Sequence, residues 1–217
     1  MTAAAGAAPL GVLVFVGTEG VYHDHPGTGR LLRELLAAEP GVEAKLAQDY
    51  EILAGGLERF HTILLYTDVG SLSPAQEAGL LAYVRGGGGC FGLHTASASF
   101  RANAGYHDML NGMFDGHSPY MEFTVTVTDR HHPITRGLEA FTVHDELHYF
   151  AHDPARSQRL MEAYDPTTGA TYAMALHHRY GAGRVFYFAL GHDAGSHHHP
   201  TFRTVIRRGV HWTGGRC

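Results

Sequence analysis

Four strand-like stretches constrain the fold of this chain more than anything else: PLGVLVFVG, VEAKLAQ, HTILLYT and CFGLH. The first, third and fourth are nearly continuous apolar runs, as strands buried on both faces require; VEAKLAQ alternates instead. Between the first two lies GTGRLLRELLAAEPG, with Leu31, Leu32, Leu35 and Leu36 at helical spacing ahead of a Pro-Gly stop. Between the last two lies SPAQEAGLLAYVRGGGG, a helix with Ser73 as N-cap, Pro74 at its first position and glycine at its end. Strand and helix in this alternation predict an α/β protein of flavodoxin-like build, a parallel sheet with helices on both faces.

After Tyr120 the pattern changes. MEFTVTVTD alternates with period two like a half-exposed or edge strand, and QRLMEAYD, TYAMALHHRYG and GRVFYFALG predict an antiparallel meander added to the parallel sheet. HPTFRTVIRRGVHWTG closes the chain as a helix with Phe202, Val205, Ile206, Val210 and Trp212 toward the core. No linker or repeat interrupts the 217 residues, so a single domain over 1–217, with an ordered core over about 10–212, is expected.

In open α/β sheets ligands bind beyond the carboxyl ends of the strands. The unusual residues of this chain fall there: Thr18–His25, Thr67–Ser71, His94–Ser97 and Gly191-His192-Asp193. Eighteen of the residues are histidine, well above ordinary usage, which points to acid/base or metal chemistry. His94 stands at a strand-to-helix corner where many enzymes carry a Ser or Cys nucleophile; an imidazole there suits proton transfer or metal ligation. Thr95, Ala96 and Ser97 are expected to open a helix with free backbone N–H groups. Cys90 and Cys217 are too few for a disulfide framework, and Cys90 lies within a buried strand. The net charge of −5, with no basic block, argues against nucleic acid. MTAAAGAAPLG lacks a basic leader, and no run approaches the ~18 apolar residues of a membrane span, so a cytoplasmic protein without a membrane partner is expected.

Seven motifs in order, YHDH, LYTDVGSLSPAQ, GGGGCFGLHTAS, YHDMLNGMFDGH, HHPITRGL, HDELHYF and YGAGRVFYFALGHD, resemble the ThuA-like family, from about Leu10 to Trp212. That resemblance implies the class I glutamine-amidotransferase-like three-layer sandwich, mostly parallel with added antiparallel strands. Amidotransferases have Gly-x-Cys-x-Gly at the corner; here Gly92-Leu93-His94 takes its place, which excludes thiol acyl transfer. The family pattern supports His23 and His117, and it carries over to Asp145 and Glu146 within HDELH. His25 and the triple His197–His199 are read as surface residues, GMFDGH as a tight loop, and HDELH as strand or turn, not a zincin helix.

Taken together, His94, Glu146 and Asp145 are the candidate catalytic groups. Thr67, Thr95, Ser97, Asp193 and Tyr22 are the candidate substrate contacts. His23, His94, His117 and His192 form a constellation able to hold a divalent metal such as Zn²⁺. A metal-free pocket with His94 as base and Glu146 as acid competes with it, and no nucleotide cofactor is expected. The resemblance implies an enzyme of trehalose- or keto-sugar-linked metabolism that isomerises, eliminates or hydrolyses a sugar derivative. A non-catalytic carbohydrate binder or accessory protein is the alternative, with Tyr22, Tyr66, Tyr106, Tyr120, Phe100 and Phe114 as stacking surfaces. The partners in view are a small sugar or sugar derivative and a second copy of the chain.

Overall fold

The structure, a computed structural model, describes residues 8–18 and 22–216; Cys217 and most of the MTAAAGAAPLG segment lie outside them. Its nine-stranded sheet has the order β2-β1-β3-β4-β11-β10-β9-β6-β7. Five neighbours run parallel: β2 (Val42–Ala47), β1 (Leu10–Val16), β3 (Thr62–Tyr66), β4 (Gly89–Leu93) and β11 (Gly183–Phe188). Antiparallel β10 (Ala170–Tyr180), β9 (Gln158–Asp165), β6 (Met121–Val127) and β7 (Phe141–Asp145) extend it. The alternating MEFTVTVTD segment is therefore half-exposed but internal, and β7 is the edge. A separate ribbon pairs β5 (Gly112–His117) with β8 (His148–His152).

Helix positions follow the sequence cues. The first helix, α1 (His25–Ala37), buries Leu32, Leu35 and Leu36, and the short α2 (Glu51–Ala54) follows β2. In α3 (Pro74–Arg85) Ser73 and Gln76 form a reciprocal capping box. The shorter α4 (Ala104–Leu110) and α5 (Ala194–His198) precede α6 (Pro200–Thr213), whose five expected apolar residues are all buried.

Side chains alternate across β4 and β11, which fixes the layers. A Cβ at Gly209 of α6 would meet Phe91 and Phe186, whereas one at Gly92 would meet Leu110 of α4 and Tyr187. Neighbouring strand residues point to opposite faces, so α6 and α4 cover opposite sides of the sheet. Cys90 lies fully buried inside this sandwich, and burial pushes its thiol up to about 12. Such a thiol is inert. Among the described residues no helix is long and apolar enough to cross a membrane.

One close approach seats the start of β11 against the end of α3. A methyl group at Gly183 would sit 2.0 Å from the Val84 carbonyl oxygen and 2.5 Å from that of Gly88. Both are backbone atoms and cannot rotate away. Gly183→Ala should therefore destabilise the protein by about 2 kcal/mol, read as a lower melting temperature. An unchanged melt would mean that β11 does not pack on the end of α3 in this way.

Candidate functional site

The four parallel strands β1, β3, β4 and β11 end on one rim, and each is followed by a side chain that turns into the same cleft: His23, Asp68, His94 and His192. The β7–β8 connection adds Glu146 from above. The ribbon adds His117 and His148, which are cross-strand partners. The cleft has a volume of about 560 Å³, with His23, Asp68, Thr95, Phe114, Glu146 and His192 among its walls.

His94 is reached by a backbone turn at φ +46°, in the left-handed region that non-glycine residues seldom adopt. The turn lifts the imidazole out of line with β4, directly under His148, with ring centroids 3.8 Å apart. Burial, followed by the neighbouring imidazoles of His148 and His23, holds His94 well below the usual histidine range and hence neutral. Its Nδ1 is 2.6 Å from the Ala189 carbonyl oxygen, which can only accept, so Nδ1 carries the proton. The Nε2 lone pair then faces inward with no hydrogen-bond partner.

His23 is oriented in the same way. Its Nδ1 lies 3.2 Å from Asp68 Oδ2, and His25 Nε2 lies 3.4 Å from the same oxygen. Burial would raise the Asp68 carboxyl, but the bonds from His23 and His25 outweigh it and bring it down to about 2. An ionised Asp68 fixes the proton on His23 Nδ1 and leaves Nε2 to accept, 3.2 Å from His192 Nδ1. His192 Nδ1 is also 3.2 Å from Glu146 Oε2, and this carboxylate raises the affinity of His192 for a proton.

One nitrogen each from His23, His94 and His192 and one oxygen of Glu146 thus lie within 4.8 Å of one another. Tetrahedral ligands on bonds of about 2.1 Å stand roughly 3.4 Å apart, and the separations of 3.2, 3.2 and 4.0 Å bracket that value. The bonds from the remote ring nitrogens to Ala189 and Asp68 are the outer contacts that metal-binding imidazoles require. The donor set fits a divalent cation, which would replace the proton that otherwise bridges His23, His192 and Glu146.

Several expected residues have other places. Asp145 is fully buried and binds the Gly191 and His192 amides and the Ser196 hydroxyl, so it shapes the loop that carries His192 and does not face the cleft. Thr67 is fully buried and bonded to Ser99, and Ser97 to Tyr187 and the His94 carbonyl, so neither can meet a substrate. Asp193 caps α5 and accepts from Tyr120. Thr95 and Tyr22 do border the cleft. His117 stands at the mouth, 3.5 Å from Glu146 but outside the four-donor set, on a bulged strand and not a tight loop.

Glu146 does not suit the role of acid: burial opposes its ionisation, yet His148 and His192 outweigh it and hold its carboxyl well below the usual range. His94 is covered by protein, which removes it from direct contact with a substrate as base. Tyr66, Tyr106 and Phe100 are fully buried, which leaves Tyr22, Tyr120 and Phe114 as accessible rings. His25 and His197 are buried, not on the surface. The corner after β4 is a single 3₁₀ turn, His94–Ser97, and α4 begins only at Ala104, so no helix N-terminus opens there. Asp68, His25 and His148 do not stand out as site residues in the sequence. The LYTDVG motif holds the signal for Asp68, an acid just beyond a buried strand.

Among solved structures, the chain superposes on a ThuA-like protein of Parabacteroides merdae with a TM-score of 0.83 at 17% identity, covering 95% of this chain and 90% of that one. A ThuA-like protein of Bacteroides uniformis gives 0.81 at 16%, covering 98% and 95%. A GMP synthase component of Thermoplasma acidophilum gives 0.59 at 15%, covering 93% and 92%, which ties the fold to the glutamine-amidotransferase type. No curated protein matches the chain. The sequence model of the family described as trehalose utilisation matches residues 11–213, and the chain belongs to this ThuA family.

Proposed function

We propose that the protein is an enzyme that moves a proton on a keto-sugar derivative, in a cleft where His23, His94, His192 and Glu146 hold a divalent cation. The observation that carries this reading is the convergence of three imidazole nitrogens and one carboxylate oxygen within 4.8 Å. The sugar class rests on the description of the family.

When bound, such a cation supplies Lewis-acid stabilisation of negative charge that develops on a sugar oxygen. The chain's own residues do the rest. A keto group acidifies the neighbouring C–H, and His117 is the imidazole most open to the cleft. Its Nδ1 is 2.7 Å from the Ser118 carbonyl oxygen, so Nδ1 is the donor and Nε2 the free acceptor. His117 Nε2 takes the C–H proton. It returns it either to the former carbonyl carbon, while the hydroxyl proton of the deprotonated carbon passes to the former carbonyl oxygen, an isomerisation, or to a departing glycosidic oxygen as the C–O bond breaks and a C=C bond forms, an elimination. Phe114 and Tyr22 offer apolar faces to the sugar ring.

The test is proton exchange in D₂O. A glycoside of a keto-glucose is incubated with protein freed of metal by chelator and then reloaded with Zn²⁺ or Mn²⁺, and loss of the α C–H signal is followed by NMR. Exchange in the loaded protein only is the expected result. Exchange undiminished by chelator would leave acid/base chemistry without a cation. Sugar binding with no exchange would make the protein a binder.

A second expectation concerns Asp68, which lies outside the four-donor set and fixes the ring of His23. Asp68→Asn keeps the shape but removes the charge that fixes the His23 proton. Cation affinity should fall by about 10- to 100-fold, the usual cost of an outer-shell change. A titration with Co²⁺ followed by absorbance measures it, and an unchanged affinity would reduce Asp68 to a space-filling residue.

A further inference from the structure

At the opposite end of the sheet a second cavity, of about 400 Å³, gathers Arg136, Arg207, Arg208, His211 and Arg216 around Pro133. It shares no residue with the cleft. Its position at the amino ends of the strands is fixed by Arg216, which donates to the Pro9 carbonyl just before β1. A chain of net charge −5 has little reason to collect four guanidinium groups in one hollow unless they meet an anion.

The charge there is largely uncompensated. Among the described residues Glu39 is the sole acid that lines the cavity, and it pairs with Arg207 at 2.8 Å. Arg208 donates to the Ile134 and Arg136 carbonyl oxygens at 3.2 and 2.7 Å, contacts that fix its position but leave its charge intact. Among the described residues no carboxylate forms an ion pair with Arg136, Arg208 or Arg216. Three unneutralised guanidinium groups, one already locked in place, suit a compact dianion, because the planar fork binds phosphoryl oxygens two at a time. The hollow has the volume of small-ligand pockets. We infer that this cavity binds a phosphoryl group, either of a small phosphate monoester or of free phosphate.

Calorimetric titration in a low-salt chloride buffer tests this, with glucose 6-phosphate, inorganic phosphate and glucose as probes. Glucose 6-phosphate should bind and glucose should not, and added salt should weaken the binding. Inorganic phosphate as tight as the ester would mean that the phosphoryl group alone is read; a tighter ester would mean that the sugar is read as well. Arg136→Glu combined with Arg216→Glu, both partly or fully exposed and away from the cleft, should weaken binding at least 10-fold without lowering the melting temperature. His192→Asn, in the cleft, should leave it unchanged. The inference is overturned if neither phosphate probe binds, if the double variant binds as well as the parent, or if His192→Asn abolishes binding. A poly-glutamate peptide that binds where both phosphates fail would also overturn it and make the cavity a protein-docking site.

Discussion

His94→Asn should leave a folded protein whose cation affinity is lower by more than about 100-fold, beyond what outer-shell changes alone cost, and whose turnover is lost with it. Asparagine is the informative replacement. It tolerates the positive φ of this corner better than alanine, and its amide can still donate to the Ala189 carbonyl. What it removes is the inward nitrogen lone pair. His192→Asn provides the control on folding: that side chain is 25% exposed, so its loss costs the core little. It should cause a comparable loss of affinity. Full cation binding by both variants, measured by Co²⁺ absorbance, would end the proposed role of the four-donor set.

Acid should destabilise the cation-free protein as pH falls from 7 to 5. Burial pushes His148 and His197 down to about 4, and His94 is depressed in the same direction. In the unfolded chain these imidazoles titrate near 6.5. Each folded value lies below the unfolded one, so the native state excludes protons that the unfolded state binds. The stability they confer is complete above about pH 6.5 and is lost as pH falls toward 4. At pH 5 the loss is about 2 kcal/mol for His148 and about the same for His197, with His94 adding to it. His192 works in the opposite sense: its folded value is raised by Glu146, so its contribution is full in acid and fades as pH rises. It and Asp145, whose carboxyl burial raises, offset part of this loss. Against a typical total of 5–15 kcal/mol the remainder is large. Urea unfolding in the presence of chelator should show a midpoint that falls steeply between pH 7 and pH 5. A flat midpoint would mean that these rings are hydrated in solution.

The parallel half of the fold is legible because each of its strands is a short run with one dominant property, burial. The corner position of His94 follows from that, since a buried run that stops at a histidine must place it at the rim. The β5–β8 ribbon is not legible: GMFDGH is half-exposed, carries a bulge beside Gly116 and shows no alternation. Its partner strand lies over thirty residues downstream. His25 reads as a surface residue because histidine alone carries little information on burial. Only the packing of the first turn of α1 against Tyr66 and Asp68 encloses it. Asp145 and Glu146 stand out in the sequence as a pair, but neighbours at a strand end point to opposite sides. One enters the loop beneath His192 and the other enters the cleft.

His23 and His192 are 169 residues apart in sequence and 3.2 Å apart in space. One follows β1 and the other follows β11. Whatever grips both is a clasp between the first and last strands of the parallel half. The clasp cannot exist until β11 is in place, and it also draws on β7, whose end carries Glu146. Occupancy of the cleft is thereby linked to completion of the whole sheet, and the binding energy of its occupant is added to the global unfolding equilibrium and not to one loop. A chain cut short before β11 would keep His23, His94 and Glu146 but lose the donor that closes the set.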